Sequence, residues 1–184
     1  MTRLDPKLHD SKPRIRVGQA NDAPRIAALA SQVWLHTYAT EGITNEMAQY
    51  VLSEFAVERL AASLSDPEIS FLVAEYGESL VGFAAMRFGA PCPTGADSAV
   101  ELQTLYVQAH AIGRGVGKAL LQDAEARAGE RSGSRLWLTV NAMNARAIDF
   151  YACQGYLKVG TAYFALGSNR HENYVMVGRD AEPR

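Results

Sequence analysis

AVELQTLYVQAHAIGRGVGKALLQDAEARA, residues 99–128, is the stretch whose reading decides the fold. From Val100 to Val107, β-branched, aromatic and aliphatic residues accumulate without a helical stripe, the pattern of a buried strand. A spacer, Gln108 to Ala111, leads into Ile112-Gly113-Arg114-Gly115-Val116-Gly117 and then Lys118-Ala119-Leu120-Leu121. Val116, Leu120, Leu121, Ala124 and Ala128 fall on one apolar face of a helix, so the glycines stand at a helix N-terminus. Backbone N–H groups of that first turn are unshielded by side chains. Together with the positive end of the helix dipole they suit a phosphate or diphosphate, to which Arg114 and Lys118 add charge. Glycines before a helix are also ordinary turn punctuation, and it is the strand and helix on either side that favour the anion site. A dinucleotide fingerprint fits less well, because the next strand, Arg135 to Val140, ends in Asn141 rather than in a ribose-binding carboxylate.

Working outward, Arg14 to Val17 reads as a strand. Asn21 or Asp22 then caps a helix with Pro24 in its first turn, carrying Ile26, Leu29, Ala30, Val33 and Trp34 and fading near Tyr38. A second helical region spans Asn45 to Ser65, breaks around Phe55 and ends at Asp66-Pro67. Ile69 to Tyr76 and Leu80 to Phe88, parted by Gly77-Glu78-Ser79, predict a β-hairpin, and Gly89 to Ser98 a mobile connection. Beyond the central helix come the strand Arg135 to Val140, a helix Asn144 to Gln154 closed by Gly155, and strands Tyr156 to Leu166 and Asn173 to Val177. The order βααβββαβαββ predicts an α/β fold, a mixed twisted sheet of about six or seven strands with helices on both faces.

With 184 residues, 48% of them hydrophobic, the chain suits one well-buried domain. That domain is expected over residues 14–178, between tails at 1–13 and 179–184. A formal charge of −2 gives no reason to expect nucleic acid or an anionic membrane as partner. No apolar run approaches a membrane span, and residues 1–13 lack a signal-like apolar core, so the cytoplasm is the expected compartment. Two cysteines suggest neither a disulfide framework nor zinc, and Cys153 is expected to be a small buried filler. The four histidines lack ligand spacing, so no metal is expected.

The stretch Ile112-x-x-Gly115-x-Gly117 resembles the signature of the GNAT N-acetyltransferases, Gln/Arg-x-x-Gly-x-Gly/Ala, with Ile112 in place of the usual Gln or Arg. The element order agrees, and the resemblance spans roughly Arg14 to Val177. It implies a GNAT-like fold that binds acetyl-CoA. The pyrophosphate would lie on Ile112, Gly113, Arg114, Gly115, Val116, Gly117 and Lys118. The pantetheine arm would lie between two splayed parallel strands, bonded to main chain near Leu105, Tyr106 and Val107. The segment Asn144-Ala145-Arg146-Ala147-Ile148-Asp149-Phe150-Tyr151 resembles the family helix beside the thioester. Asn144 and Tyr151 are then cofactor contacts, with Tyr151 as hydrogen-bond donor to the departing thiolate. On residue type alone they read as an N-cap and a core aromatic.

An amine with a pKa near 10 must lose a proton before attack, at a cost of about 4 kcal/mol at neutral pH. Glu101, at the position of the catalytic glutamate of some family members, is the expected base, acting through water. Its alternative reading is structural. A narrower resemblance, to bacterial spermidine/spermine N-acetyltransferases, rests on Thr37-Tyr38, Asn45-Glu46-Met47 through Tyr50 and Phe55, and Gly160-x-x-Tyr163-Phe164-x-x-Gly167. It implies a small-molecule amine acceptor such as a polyamine, bound near Trp34, Tyr38, Glu41 and Tyr163. Charges such as Glu41, Glu46 and Glu54 also suit a solvated face, and Trp34 a core position. A protein or peptide amine as acceptor, a non-catalytic coenzyme A-binding module, and a homodimer, common in the family, complete the expectations.

Overall fold

The computed structural model describes residues 12–166 and 169–179. Seven strands form one sheet in the order β1-β2-β3-β4-β5-β7-β6. They are β1 (Arg14–Val17), β2 (Ile69–Tyr76), β3 (Ser79–Phe88), β4 (Val100–Val107), β5 (Leu136–Asn141), β6 (Leu157–Leu166) and β7 (Asn169–Val177). The helices are α1 (Ala23–Tyr38), α2 (Asn45–Glu54), α3 (Val57–Ser65), α4 (Val116–Ser132) and α5 (Ala145–Cys153). Short 3-10 turns precede α1 and α4. This is the expected mixed sheet with helices on both faces. The expected terminal tails fall almost wholly outside the described residues.

Alternation along the strands sorts the core into two layers. On one face Leu72, Ala84, Met86, Leu102 and Leu138 pack under Val116, Leu120, Leu121, Ala124 and Ala128 of α4 and Tyr151 of α5. On the other, Phe71, Val73, Phe83 and Ala85 pack under Ile26, Leu29 and Ala30 of α1 and Leu60 of α3. Each residue expected on the apolar face of α4 is buried. Gly82 lets that helix sit close: a Cβ there would come 2.8 Å from the Tyr106 carbonyl oxygen and 3.2 Å from Val116.

Among the described residues the one parallel pair is β4 with β5, with register partners Val100↔Leu136 and Glu101↔Trp137. Past these the strands diverge, β4 staying on β3 through Val107 and β5 staying on β7 through Asn141. The expected splay is therefore present. Gln103 is the extra residue of a β-bulge, since Ala85 faces Thr104 while Met86 faces Leu102.

The break expected around Phe55 divides the region 45–65 into two helices, as Phe55 and Ala56 leave the helical path. Other details differ from expectation. β7 begins at Asn169, four residues before Asn173, paired with β6 from Leu166↔Asn169 onward. Residues 89–98 are tied down: Trp137 Nε1 donates to the Ala90 carbonyl at 2.7 Å, and Cys92 and Ser98 are buried. Cys153 is exposed rather than a core filler.

Asp22 stands at the N-cap position of α1 but makes no side-chain cap bond. Its carboxylate accepts from Gln19 N–H at 2.8 Å, from Arg16 at 2.7 and 2.8 Å, and from Arg25. Arg16 also donates to Glu75 at 2.6 Å. Arginine hydrogen bonds hold both carboxyls below the usual carboxylate range. This buried network fastens β1, β2 and the start of α1 together.

Candidate active site

The local chemistry of the glycine loop gives the site its first wall. Gly113 and Gly115 both adopt φ 79°, the left-handed region open to glycine, and turn the chain into α4. A Cβ at either would meet nothing within 4 Å, so the ground in front of the loop is open. The first intrahelical bond runs from Ala119 N–H to Gly115 O at 2.9 Å. Helix geometry leaves the preceding amides, of Val116, Gly117 and Lys118, without carbonyl partners inside α4.

A cavity of about 500 Å³ opens there. Its lining includes Ile112, Gly113, Gly115, Gly117 and Lys118 from the loop, and Leu105, Tyr106 and Val107 from β4. Asn144, Arg146 and Tyr151 come from the loop and helix that follow β5, and Thr37 and Tyr38 from the end of α1. A second cavity of about 310 Å³ lies beside it, lined by Trp34, Tyr38, Met47, Tyr50, Gln103, Thr104, Thr139, Asn141, Phe164, His171 and Asn173 among others. The two share Tyr38, Leu105, Tyr106, Asn144, Ala147 and Tyr151. The splay of β4 from β5 is where they meet.

Asn144 serves both readings of it. Its Oδ1 accepts from Ala147 N–H at 3.1 Å, capping α5, and the same side chain lines both cavities. Tyr151 is 8% exposed, its ring 5.2 Å from Phe150 and 5.6 Å from Tyr156. Burial pushes its phenol well above the usual range, and Tyr38 adds to the rise, so Tyr151 is a protonated donor at any ordinary pH. Burial also raises Tyr38, against a hydrogen bond with Asn144 that lowers it. Tyr106 is raised strongly by burial, its ring edge-on to Phe83 at 5.6 Å.

Other expected residues stand elsewhere. Val116 is in the core at 1% exposure, so only its backbone can face a ligand. Arg114 is exposed on the loop, and its side chain is not part of either wall. Glu41 lies on the exposed turn between α1 and α2, away from both cavities. Tyr163 is 56% exposed, its ring 3.6 Å under the Arg170 guanidinium, and it too lines neither. Trp34 is both a core residue and a cavity wall.

Glu101 lines neither cavity. It accepts from Gln103 Nε2 at 3.3 Å, and Gln103 does reach the smaller one. Burial raises the Glu101 carboxyl above its ordinary value, opposed by Gln103 and Arg87. Residues the sequence did not single out include Gln103, Thr139, His171 and Asn173 in the smaller cavity and Arg146 in the larger. Arg146 had a legible signal, two residues after Asn144 in the motif itself. His171 and Asn173 had none, because β7 reaches the site only by inserting between β5 and β6.

The profile of the acetyltransferase (GNAT) family matches residues 30–156, which include the glycine loop, both splayed strands and α5. This chain belongs to the GNAT family. An uncharacterized N-acetyltransferase of Mycobacterium tuberculosis is 33% identical over 156 residues, 85% of this chain and 96% of the relative. Among solved structures, the PaiA N-acetyltransferase of Thermoplasma acidophilum, in complex with coenzyme A, superposes with a TM-score of 0.75 at 23% identity, covering 92% of this GNAT chain and 99% of its own. A GCN5-related N-acetyltransferase of Rhodopseudomonas palustris gives 0.69 at 25% identity, over 91% and 96%. The GNAT protein described here is thus an acetyl-CoA-dependent N-acetyltransferase. No group of metal-binding side chains occurs among the described residues, and no described helix is long and apolar enough to cross a membrane.

Proposed function

We propose that this transferase moves the acetyl group of acetyl-CoA directly to a small primary amine, the cosubstrate occupying the larger cavity and the acceptor the smaller. The observation that carries the reading is the wall the two share, with Tyr151 in it. The diphosphate would rest on the amides of Gly113 to Lys118, with Lys118 and Arg146 supplying charge, and the pantetheine on the main chain of Leu105 to Val107 in the splay.

The amine nitrogen, having given up one proton, attacks the thioester carbonyl carbon. The N–C bond forms, the C–S bond breaks, and the nitrogen's second proton is lost as the amide appears. The products are the acetylated amine and the free thiol of coenzyme A, with one proton released. The developing oxyanion would be met by a backbone N–H at Tyr106 or Val107. Tyr151 donates a hydrogen bond to the departing thiolate. Full proton transfer from tyrosine to a thiolate is uphill by about 2 kcal/mol with ordinary pKa values, and burial of the phenol steepens it.

For the proton leaving the amine, Glu101 acts through water, since it does not itself reach the cavity. One observation favours a second reading: His171 does line the acceptor cavity, and imidazole is the side chain suited to take protons near neutrality. The polyamine acceptor implied by the narrower resemblance is weakened, because no carboxylate is among the residues lining that cavity. The test is thiol release from acetyl-CoA against monoamines, polyamines, aminoglycosides and peptides. Release without dependence on any acceptor amine would remove the proposal.

A further inference from the structure

The acceptor cavity has walls of aromatic rings and a floor of neutral polar groups. Trp34 of α1 lies 5.1 Å from the Tyr38 ring and 5.0 Å from the Tyr50 ring of α2, and Tyr50 meets Phe164 of β6 edge to face. Trp34, Tyr50 and Phe164 belong to this cavity alone, whereas Tyr38 and Tyr151 lie on the wall shared with the cosubstrate side. These three rings therefore stand on the acceptor side of that wall. Gln103, Thr139 and Asn173 are amides and a hydroxyl on β4, β5 and β7, and Asp, Glu, Lys and Arg are absent from the described lining.

Those facts select among amines. Any ammonium of a polyamine beyond the reacting one that entered the cavity would leave water with no carboxylate in the described lining to pair it. An aromatic body meets ring edges and faces instead, each well-placed pair contributing about 0.5–1.5 kcal/mol beyond the area it buries. A volume of about 310 Å³ suits a single ring on a short chain. One further group calls for a donor: Asn173 Oδ1 is buried with no hydrogen-bond partner. An amine N–H would satisfy it.

We infer that the acceptor is a primary monoamine with an aromatic body, an arylalkylamine, its ring among Trp34, Tyr50 and Phe164 and its nitrogen toward the wall that holds Tyr151. This rests on the acetyl-transfer reading above and narrows it.

The test uses the full chain, acetyl-CoA, and 2-phenylethylamine against spermidine, with thiol release as readout and acetyl-CoA binding measured separately by calorimetry. The expected result is a kcat/KM for 2-phenylethylamine at least tenfold above that for spermidine. Spermidine equal or better, or no turnover of 2-phenylethylamine while acetyl-CoA binds, overturns the acceptor class and leaves acetyl transfer standing. Failure of acetyl-CoA to bind sinks both. Gln103→Glu, which adds a carboxylate to the floor, is expected to shift the preference at least tenfold toward spermidine. Phe164→Ala is expected to raise the KM for 2-phenylethylamine about tenfold with the KM for acetyl-CoA unchanged. An unaltered preference in the first, or an unaltered amine KM in the second, counts against the placement of the ring and the charge argument.

Discussion

Tyr151→Phe removes one oxygen from the wall between the two cavities and nothing else. The phenyl ring keeps the packing against Phe150 and Tyr156, so the fold and the cosubstrate groove are expected to stay intact. On the proposed role, what disappears is a hydrogen bond to a sulfur that carries charge only as the C–S bond breaks. Hydrogen bonds to charged groups are worth about 1.5–3 kcal/mol, and each 1.36 kcal/mol is tenfold in rate, so kcat should fall by about 10- to 150-fold. Acetyl-CoA affinity should change by less than about threefold, because the neutral thioester sulfur gains little from the same donor. Burial holds the phenol above its usual range, so the wild-type rate should show no limb from Tyr151 ionisation up to about pH 10. Steady-state thiol release with a saturating amine gives kcat, and calorimetry gives the acetyl-CoA Kd. A kcat within about twofold of wild type would refute the donor role, whatever happened to binding.

Asp22→Asn removes one of the two carboxylates that Arg16 and Arg25 share, leaving Glu75, and should cost about 1.5–3 kcal/mol of stability, read by denaturant unfolding. Because Asp22 and Glu75 are held below the ordinary carboxylate range in the folded chain, their stabilisation is full above about pH 4 and lost as pH falls below it. The variant should therefore show a shallower loss between about pH 4 and pH 2. Gly115→Ala places a Cβ in open space at φ 79°, so its cost to folding is the backbone term of about 1–2 kcal/mol. Acetyl-CoA binding by calorimetry should weaken at least tenfold, and unchanged binding would displace the diphosphate from this loop. Glu101→Gln and His171→Gln separate the two proton acceptors: the true one lowers kcat/KM chiefly below the amine pKa and alters the pH–rate profile. The raised Glu101 carboxyl sets its limb above the usual glutamate range.

What was legible in the sequence was whatever is written locally. Glycine spacing before an apolar stripe gave the loop and α4, and Asn144 through Tyr151 gave α5 with both of its cavity-facing ends. The turn at Gly77-Glu78 gave the β2–β3 hairpin, with Tyr76 paired to Ser79. What escaped depends on contacts distant in the chain. Glu41 and Tyr163 sit near acceptor-site residues in sequence, yet chain direction carries both outward. His171 and Asn173 come to the cavity because β7 pairs with β5 rather than following β6 outward. The bulge at Gln103 sets how Glu101 and Thr104 face relative to each other, and nothing in a single strand announces it. Residues 89–98, with two prolines and two glycines, read as loose, yet Trp137 of β5 and Arg135 just before it hold them.

The parting of β4 from β5 after two register pairs leaves facing main-chain groups on each strand without a β partner across the gap. An amide-bearing arm laid there would act as a short guest strand, so the apoenzyme is a sheet awaiting its last seam. Occupancy should then register as slowed hydrogen exchange along Leu102 to Val107 and Leu138 to Asn141, and as a higher melting temperature, before any acetyl group has moved.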